Sequence, residues 1–208
     1  MRIDPAGWPF VSIALVFAAG TLALSPALGL AFVVLAGYFL FFFRDPHRGV
    51  TQGARVVRSP ADGRVMVAGT PTGEKSPPGH WQQITIFLSP MDVHVNRMPL
   101  AGRVLEVRYH PGRFLPAYRA DAGDLNEHTE VWVDTGRQTI VVRQIVGILA
   151  RRIVCRVKAG ETVQAGQRFG VMKFGSRMDV FVPAGATITV KAGDRVVGAV
   201  SVIAELEP

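Results

Sequence analysis

An uncharged N-terminal stretch is the feature that most restricts the fold of this chain. No charged residue occurs among the 36 positions from Trp8 to Phe43. Ser25-Pro26 divides the stretch, because proline begins a helix readily but does not continue one. Each half would form a helix of about 25 Å, slightly shorter than the roughly 30 Å hydrocarbon core of a bilayer. We therefore predict an α-helical, hydrophobic membrane hairpin over residues 1–43.

The charges that flank this hairpin indicate its orientation. Arg2 precedes the first half, and the turn between the halves carries no charge. Basic residues concentrate on the cytoplasmic side of membrane segments. Both ends of the hairpin are therefore expected on the cytoplasmic side, although a shallow re-entrant pair or one tilted span also fits these lengths. Four arginines follow the second half: Arg44, Arg48, Arg55 and Arg58.

The composition indicates a lipid partner. The 208 residues include 23 basic and 16 acidic side chains, with a net charge of +7, and 49% of the residues are hydrophobic. A basic chain suits either a nucleic acid or an anionic phospholipid surface. Aromatic residues do not alternate with Lys and Arg as a base-stacking surface requires, so we expect no nucleic acid. The single Cys155 allows no internal disulfide, and its apolar neighbours predict an unreactive core thiol.

Residues 44–208 have the pattern of a mainly β domain. Short runs of β-branched residues alternate with Gly and Pro, which favours a closed or sandwiched sheet. The one helix candidate is Gln144–Arg152, and Gly147 weakens it. The predicted strands are Ile84–Leu88, Val104–Val107, Val131–Val133, Thr139–Val146, Ile153–Val157, Val180–Val182, Thr187–Val190 and Val196–Ala204.

Two turn motifs narrow the fold further. The segment Lys158–Gln167 is echoed by Lys191–Val196, and both contain Lys-Ala-Gly followed by an acidic residue. These segments resemble the hammerhead turns of biotinyl/lipoyl carrier domains and related barrel-sandwich hybrids. The resemblance covers about the last 55 residues, 154–208. It implies a barrel-sandwich-hybrid-like β domain behind the hairpin.

A Gly-Ser pair near the C-terminus suggests chemistry on the backbone itself. The Ser176 hydroxyl can reach the Gly175 carbonyl, the least hindered acyl group a chain offers. In a strained turn, attack by Oγ replaces the amide with an ester. Elimination of that ester would cut the chain and leave a dehydroalanine, which hydrolyses to a pyruvoyl group. Most Gly-Ser pairs are ordinary turns, so the pair needs support from other residues.

That support comes from four segments that together resemble one family. In order along the chain, they are similar to segments of phosphatidylserine decarboxylase proenzymes of the shorter prokaryotic form (type II-like). The resemblance spans nearly all of residues 44–208. The segments are Ser59–Gly63, Ser89–Pro99, Gly147–Ile153 and Phe174–Asp179.

The resemblance implies a self-processing lyase. Cleavage between Gly175 and Ser176 would yield a β chain, residues 1–175, and an α chain, residues 176–208, as a heterodimer, with a homodimer of these pairs left open. The α chain would begin with a pyruvoyl cofactor made from Ser176. A Schiff base with the serine amine of phosphatidylserine would allow loss of CO₂ and release of phosphatidylethanolamine. The expected location is the bacterial inner membrane, with no metal.

The resemblance also implies roles for individual residues. His94 would handle protons, because an imidazole titrates near neutral pH. Asp62 would orient the catalytic base. Longer family members carry a second histidine where this chain has Arg97, and arginine is a poor base. The base for self-cleavage is thus His94 or His128, and Arg97 would instead contact the lipid phosphate or the carboxylate.

Four other features have simpler interpretations. The Arg151-Arg152 pair is a solvated face or attracts anionic headgroups. His47, His80 and His110 lie among Pro and Gly and are expected at the surface.

Two alternative functions remain. Val171-Met172-Lys173-Phe174 resembles a carrier hairpin, so a membrane-anchored biotinyl/lipoyl-type carrier modified at Lys173 is one alternative. A membrane-anchored β domain that only docks a partner is the other.

Overall fold

The computed structural model describes residues 2–50, 53–71, 76–148, 152–173 and 175–208. Its N-terminal part is a helical hairpin, as predicted. Strands β1 and β2 pair antiparallel, so they join the two ends of the hairpin. The elements of this part are β1 (Arg2–Ile3), a 3-10 turn (Pro5–Gly7), α1 (Trp8–Leu22), α2 (Pro26–Phe42) and β2 (Arg44–Asp45).

The turn of the hairpin forms where the sequence places it. Ser25 caps α2 by accepting a hydrogen bond from the Leu28 N–H at 3.4 Å, and Pro26 occupies the first turn of the helix. A Cβ at Gly29 would lie 2.8 Å from the Leu22 Cα, so glycine permits the close approach of the two helices. Farther along, the rings of Phe17 and Phe32 stack with centroids 5.4 Å apart.

The outer surface of the hairpin is apolar. Large side chains such as Val16 and Leu24 are 71% and 86% exposed. Among the described residues, one helix, Pro5–Leu22, is long and apolar enough to cross a membrane, whereas Pro26–Phe42 is shorter. This is weak evidence for membrane association. The number of spans stays a prediction.

The remaining elements form the β domain. The fold class is confirmed as mainly β with an apolar helical N-terminus. The elements are β3 (Val56–Arg58), β4 (Gly63–Gly69), β5 (Trp81–Leu88), β6 (Val95–Arg97), β7 (Gly102–His110), α3 (Ala122–Leu125), β8 (His128–Asp134), β9 (Thr139–Ile145), β10 (Ile153–Cys155), β11 (Thr162–Val163), β12 (Arg168–Met172), β13 (Ser176–Pro183), β14 (Thr187–Ile188), β15 (Arg195–Val196) and β16 (Val202–Glu205).

An antiparallel eight-stranded sheet organises this domain. Its order is β11-β7-β8-β9-β13-β5-β4-β15, and two three-stranded sheets accompany it, β10-β12-β6 and β14-β16-β3. The two turn motifs supply its edge strands, since Val163 pairs with Gly102 and Val196 pairs with Gly63. Alternate residues of the central strands face the core, as the period of a strand requires. Among these buried core residues are Ile84, Ile86, Val131, Val133, Ile140, Val142, Met178, Val180 and Val182.

Two local predictions are wrong. The predicted helix Gln144–Arg152 begins inside β9, and residues 146–148 are irregular, while residues 149–151 lie outside the described part of the chain. The predicted strand Val196–Ala204 is two strands separated by a turn. That turn places Ala199 at φ 63°, and Gly198 lies against the backbone of Ala61 and the Asp62 carboxylate, which leaves no room for an extended chain.

The hairpin is docked on the small sheet that carries β6 and β12. Phe42 and Phe43 are fully buried and cluster with Val171 of β12. Val171 in turn pairs with Val95 of β6. The end of α2 therefore lies beside the segment that contains His94. Strand β6, which follows His94, lies between the hairpin and the large sheet.

Candidate functional site

Gly175 and Ser176 lie where β13 begins. Gly175 has φ 73°, a left-handed conformation that favours glycine. Ser176 pairs with Leu88 of β5 and is fully buried. Its Oγ has no hydrogen-bond partner in the part of the chain that the structure describes. Leaving a buried hydroxyl unpaired costs about 1–3 kcal/mol, so this serine is energetically unusual.

The carbonyl of Gly175 is held against another glycine. A Cβ added at Gly147 would lie 2.2 Å from the Gly175 oxygen and 3.1 Å from its carbon. Only a residue without a side chain permits this approach. Gly147 lies two residues after the end of β9, the neighbour of β13, which explains how it reaches the Gly-Ser bond. The sequence included Gly147 in a family-like segment but gave no sign of this contact.

His94 lies at the same place. Its Nε2 accepts a hydrogen bond from the Gly175 N–H at 3.4 Å. Its Nδ1 lies 2.9 Å from the Asp92 carbonyl oxygen, which requires the proton on Nδ1 and leaves the lone pair on Nε2. The ring stacks on Phe42 with centroids 4.1 Å apart. The structure thus brings together two sequence-predicted residues, His94 and Ser176, beneath the hairpin.

Burial sets the protonation state of His94. Desolvation lowers its pKa from 6.5 to about 4, and the nearby Asp92 carbonyl and carboxylate oppose this only in part. The imidazole is therefore neutral at pH 7. A neutral imidazole with its lone pair on Nε2 is able to accept a proton.

This lowered pKa predicts a pH dependence of stability. In the unfolded chain His94 takes up a proton near pH 6.5, whereas in the folded chain it does so only near pH 4. The free energy of unfolding should therefore fall as the pH drops below 6.5, by up to about 1.4 kcal/mol per pH unit. The stability that depends on a neutral His94 is lost as the pH falls through about 4. Urea unfolding between pH 4.5 and 7.5 measures this.

The comparison uses an uncleavable background. Ser176→Ala and Ser176→Ala/His94→Gln are both measured, because the other titrating groups, including His128, contribute equally to the two. The double variant should have the shallower pH slope. Equal slopes would show that His94 is not a buried neutral imidazole.

Asp62 forms hydrogen bonds with residues other than His94. Its Oδ2 accepts a hydrogen bond from Arg48 at 2.8 Å, and its Oδ1 accepts one from the Gly198 N–H at 2.8 Å. Arg44 interacts electrostatically with both Asp62 and Asp92. Among the described residues no hydrogen bond joins Asp62 to His94. The orienting role of Asp62 stays a prediction.

Arg97 is engaged elsewhere. Its guanidinium forms a buried ion pair with Asp45 and donates to the carbonyls of Pro46 at 3.0 Å and Gly166 at 3.2 Å. Arg168 pairs with the same carboxylate of Asp45. Burial lowers the pKa of Arg97, and Asp45 opposes that shift. These contacts tie the base of the hairpin to β6 and direct the guanidinium away from the Gly-Ser bond.

His128 is separated from Ser176 by the sheet. Val131 and Val133 of β8 face the core together with Met178 of β13, so His128 projects from the opposite face to Ser176. Its Nδ1 lies 2.8 Å from the Asn126 carbonyl oxygen. Desolvation lowers the pKa of His128 to about 4. The geometry therefore favours His94 over His128 as the base.

A polar cluster surrounds His128 on that outer face. Its ring stacks on His110 with centroids 4.5 Å apart, and Glu130 lies beside both, so that their possible metal-ligand atoms lie within 4.8 Å of one another. The Arg143 guanidinium already forms an ion pair with the Glu130 carboxylate, with a nitrogen–oxygen distance of 2.6 Å. This guanidinium competes with any cation, and the cluster is better described as an ion pair beside two stacked imidazoles.

A buried ion pair fixes the strand that follows Ser176. Arg177 donates to both oxygens of Asp179, at 2.7 and 3.0 Å, and Thr85 of β5 donates to Asp179 at 2.8 Å. Sequence reasoning missed this pair. The signal was present, since residues two apart on a strand share a face. The pair anchors β13 on the face opposite to the Ser176 hydroxyl.

Comparisons with known proteins add a second line of evidence. The family model described as phosphatidylserine decarboxylase matches residues 35–204. A phosphatidylserine decarboxylase proenzyme of Anaplasma phagocytophilum is 39% identical over 208 residues, covering 99% of this chain and 92% of the relative. Proteins with the same description from Symbiobacterium thermophilum and Chlorobium phaeobacteroides are 41% and 42% identical, covering 96% and 83% of this chain and 94% and 81% of their own lengths.

Proposed function

This chain belongs to the phosphatidylserine decarboxylase family, and from that premise we propose that it converts phosphatidylserine to phosphatidylethanolamine with a pyruvoyl group formed from its own Ser176. One observation carries the mechanistic part of this proposal. Ser176 is a buried nucleophile without a hydrogen-bond partner among the described residues, next to a left-handed Gly175 and a neutral His94. That combination suits attack on the adjacent carbonyl better than it suits a structural serine.

The cleavage reaction is an intramolecular acyl shift followed by elimination. The Ser176 Oγ bonds to the Gly175 carbonyl carbon, the Gly175–Ser176 C–N bond breaks, and the hydroxyl proton passes to the released amine. Elimination removes the α-proton of Ser176 and releases Gly175 as a carboxylate. Water then hydrolyses the nitrogen-bearing carbon and ammonia leaves. His94 Nε2 contacts the Gly175 N–H, one residue before the bond that breaks, and is proposed to carry these protons.

The same site suits the decarboxylation of a lipid headgroup. A pyruvoyl group supplies an electron sink for the carbanion left when CO₂ departs. His94 would deliver the proton that replaces the carboxylate. Phe42, at the end of the apolar hairpin, stacks on His94, so the site adjoins the segment expected to enter the bilayer. This arrangement supports a substrate that arrives from a membrane, which we propose is the inner membrane approached from its cytoplasmic side.

The two chains expected from cleavage would remain together. Strand β13 begins the small α chain, residues 176–208, and pairs on both sides with strands of the large β chain, β5 and β9. A central strand held by two neighbours does not dissociate without unfolding the sheet. The mature protein is therefore proposed to be an αβ heterodimer.

The carrier alternative finds no support in the position of Lys173. Carrier domains display their modified lysine on an exposed hairpin, whereas the Nζ of Lys173 lies 4.8 Å from the centre of the Phe10 ring. Burial against the hairpin lowers the pKa of this lysine. Nothing in the described residues favours a purely docking domain either.

A carbonyl reagent tests the proposed function. Purified protein is incubated with phosphatidylserine vesicles, with and without prior treatment with phenylhydrazine, and phosphatidylethanolamine is measured. We expect turnover that phenylhydrazine abolishes, in the wild type and equally in Lys173→Arg. Turnover that resists the reagent, or that is lost with Lys173→Arg alone, would contradict a ketone prosthetic group derived from Ser176.

A further inference from the structure

Three buried polar atoms near the start of β13 have no hydrogen-bond partner in the described part of the chain. They are the Nδ2 of Asn96, the Oε1 of Gln144 and the Oγ of Ser176. All three residues are 0% exposed. Each such atom costs about 1–3 kcal/mol while it stays unpaired, so the coincidence of three in one region calls for a physical reason.

The strand register brings these residues to one face of the sheet. Gln144 pairs with Met178, and Ser176 lies two residues before Met178, so Gln144 and Ser176 are diagonal neighbours on the core side. Diagonal neighbours of this kind lie within reach of a long side chain. Gln144 Nε2 donates to Asn96 Oδ1 at 2.8 Å, which places Asn96 beside them.

The segment before β6 completes the compartment. His94 stands two residues before Asn96 and contacts the Gly175 N–H. Residues two apart on an extended segment project to the same side. His94 therefore faces Gly175 while Asn96 faces Gln144, and Ser176 begins the strand between these two contacts.

The unused groups are complementary. The bond between the two carboxamides consumes one donor and one acceptor and leaves the Gln144 oxygen and the Asn96 amino group free. A hydroxyl offers one donor and two acceptor lone pairs. The Ser176 hydroxyl can thus donate to Gln144 and accept from Asn96, satisfying all three groups. The conclusion does not depend on how the amide O and N atoms are assigned. If they are exchanged in both Asn96 and Gln144, one donor and one acceptor again remain for the hydroxyl.

We propose that Asn96 and Gln144 are positioning residues that hold the Ser176 hydroxyl for attack on the Gly175 carbonyl. This inference rests on the proposed function, because it assigns the residues to the self-cleavage step. Two hydrogen bonds fix the hydroxyl in one rotamer, so that its remaining lone pair is directed at the carbonyl carbon. Removing either amide releases the hydroxyl into other rotamers and slows the attack.

The neighbouring backbone reserves space for the amide pair. A Cβ at Gly170 would lie 2.5 Å from the Gln144 Nε2 and 2.4 Å from the Val154 carbonyl oxygen. Glycine at this position of β12 therefore admits the Gln144 side chain to the buried face. An apolar residue at position 144 would fill the core without unpaired atoms, which indicates that the amide is not there for packing.

Near-isosteric variants test the inference. Asn96→Leu, Gln144→Met and the double variant are synthesised in a cell-free pulse, and conversion of the full-length chain to residues 1–175 and 176–208 is followed on a denaturing gel. We expect each single variant to cleave 10- to 100-fold more slowly than the wild type. The double variant should be no slower than the slower single one, because either loss frees the hydroxyl.

Hydroxylamine identifies the step that is slowed. It cuts an accumulated ester between Gly175 and Ser176 but not an amide. Slower attack predicts that hydroxylamine releases no additional fragments from the variants. Extra fragments would show that the ester forms normally and resolves slowly, which would overturn a positioning role in the attack.

A matched control separates positioning from stability. Gln83 is a buried glutamine of β5 that bonds to Thr85 on the other face of the sheet. Gln83→Met should cleave within about threefold of the wild type. Equal slowing in Gln83→Met, or wild-type rates in Asn96→Leu and Gln144→Met, would overturn the inference alone. A wild-type chain that stays whole would instead overturn the proposed function.

Discussion

Replacing Ser176 with alanine is expected to leave the chain whole and to abolish decarboxylation. The variant lacks the nucleophile, so neither cleavage at Gly175 nor a pyruvoyl group can follow, and the loss should exceed about 10³-fold. The fold should persist, because the Ser176 Oγ makes no hydrogen bond to the described residues. The bonds proposed above to Asn96 and Gln144 are neutral ones, so losing them should lower the free energy of unfolding by no more than about 1–3 kcal/mol.

A gel, a lipid assay and urea unfolding measure the three consequences of this substitution. Ser89→Ala removes a hydroxyl from the residue that follows β5. It serves as the control and should cleave and turn over normally. A Ser176→Ala protein that still releases phosphatidylethanolamine would refute the mechanism. One that is inactive but also unfolded would contradict this limited loss of stability.

Gly147→Ala is expected to slow cleavage by about 10²-fold. The added Cβ would lie 2.2 Å from the Gly175 oxygen, so the carbonyl must move away by about an ångström. A displacement of that size at a reacting group costs about two orders of magnitude in rate. Overpacking should also destabilise the protein by about 1–3 kcal/mol. Pulse-labelled chains followed on a denaturing gel give the cleavage rate.

The control for this substitution is another glycine. A Cβ at Gly49 meets open space, so Gly49→Ala should cleave at the wild-type rate. If Gly147→Ala cleaves as fast as Gly49→Ala, the contact between Gly147 and the Gly175 carbonyl does not govern the reacting geometry. The site would then need a different account of how that carbonyl is held.

The parts of the fold that were predictable depend on local patterns. The hairpin follows from a charge-free stretch and a Ser-Pro cap, and both helices lie within about two residues of their predicted bounds. Strands such as β5 and β9 follow from runs of β-branched residues. The break after Val196 was missed because residues 196–204 are almost all apolar. It is decided by the packing of Gly198 against Ala61, a contact between distant segments.

The candidate site was predictable only where a motif carried it. Gly175, Ser176 and His94 belong to segments with a family resemblance, and the structure brings them together. Gly147 and Gln144 were not identified, because their importance arises from close approaches across neighbouring strands. Asn96 and Arg97 are adjacent in sequence, yet one faces Gln144 and the other Asp45. Only the fold distinguishes such neighbours.

The position of Arg97 also differs from the prediction, because its partner is distant in the sequence. Replacing the second histidine of longer relatives by arginine suggested a phosphate ligand at position 97. The alternative partner, Asp45, lies 52 positions away and is buried with it. A buried guanidinium needs a carboxylate, and the sequence offers many candidates. Sequence reasoning therefore predicted a phosphate or carboxylate of the lipid as the partner of Arg97 and did not identify Asp45.

The intact mass of the purified wild-type protein decides whether Ser176 becomes a pyruvoyl group. Self-cleavage yields two polypeptides, one that ends at Gly175 and one that begins at position 176. The smaller should resist Edman sequencing and be lighter than the peptide Ser176–Pro208 by the mass of ammonia. A single polypeptide of 208 residues, with an unmodified serine at position 176 and full decarboxylase activity, would contradict it.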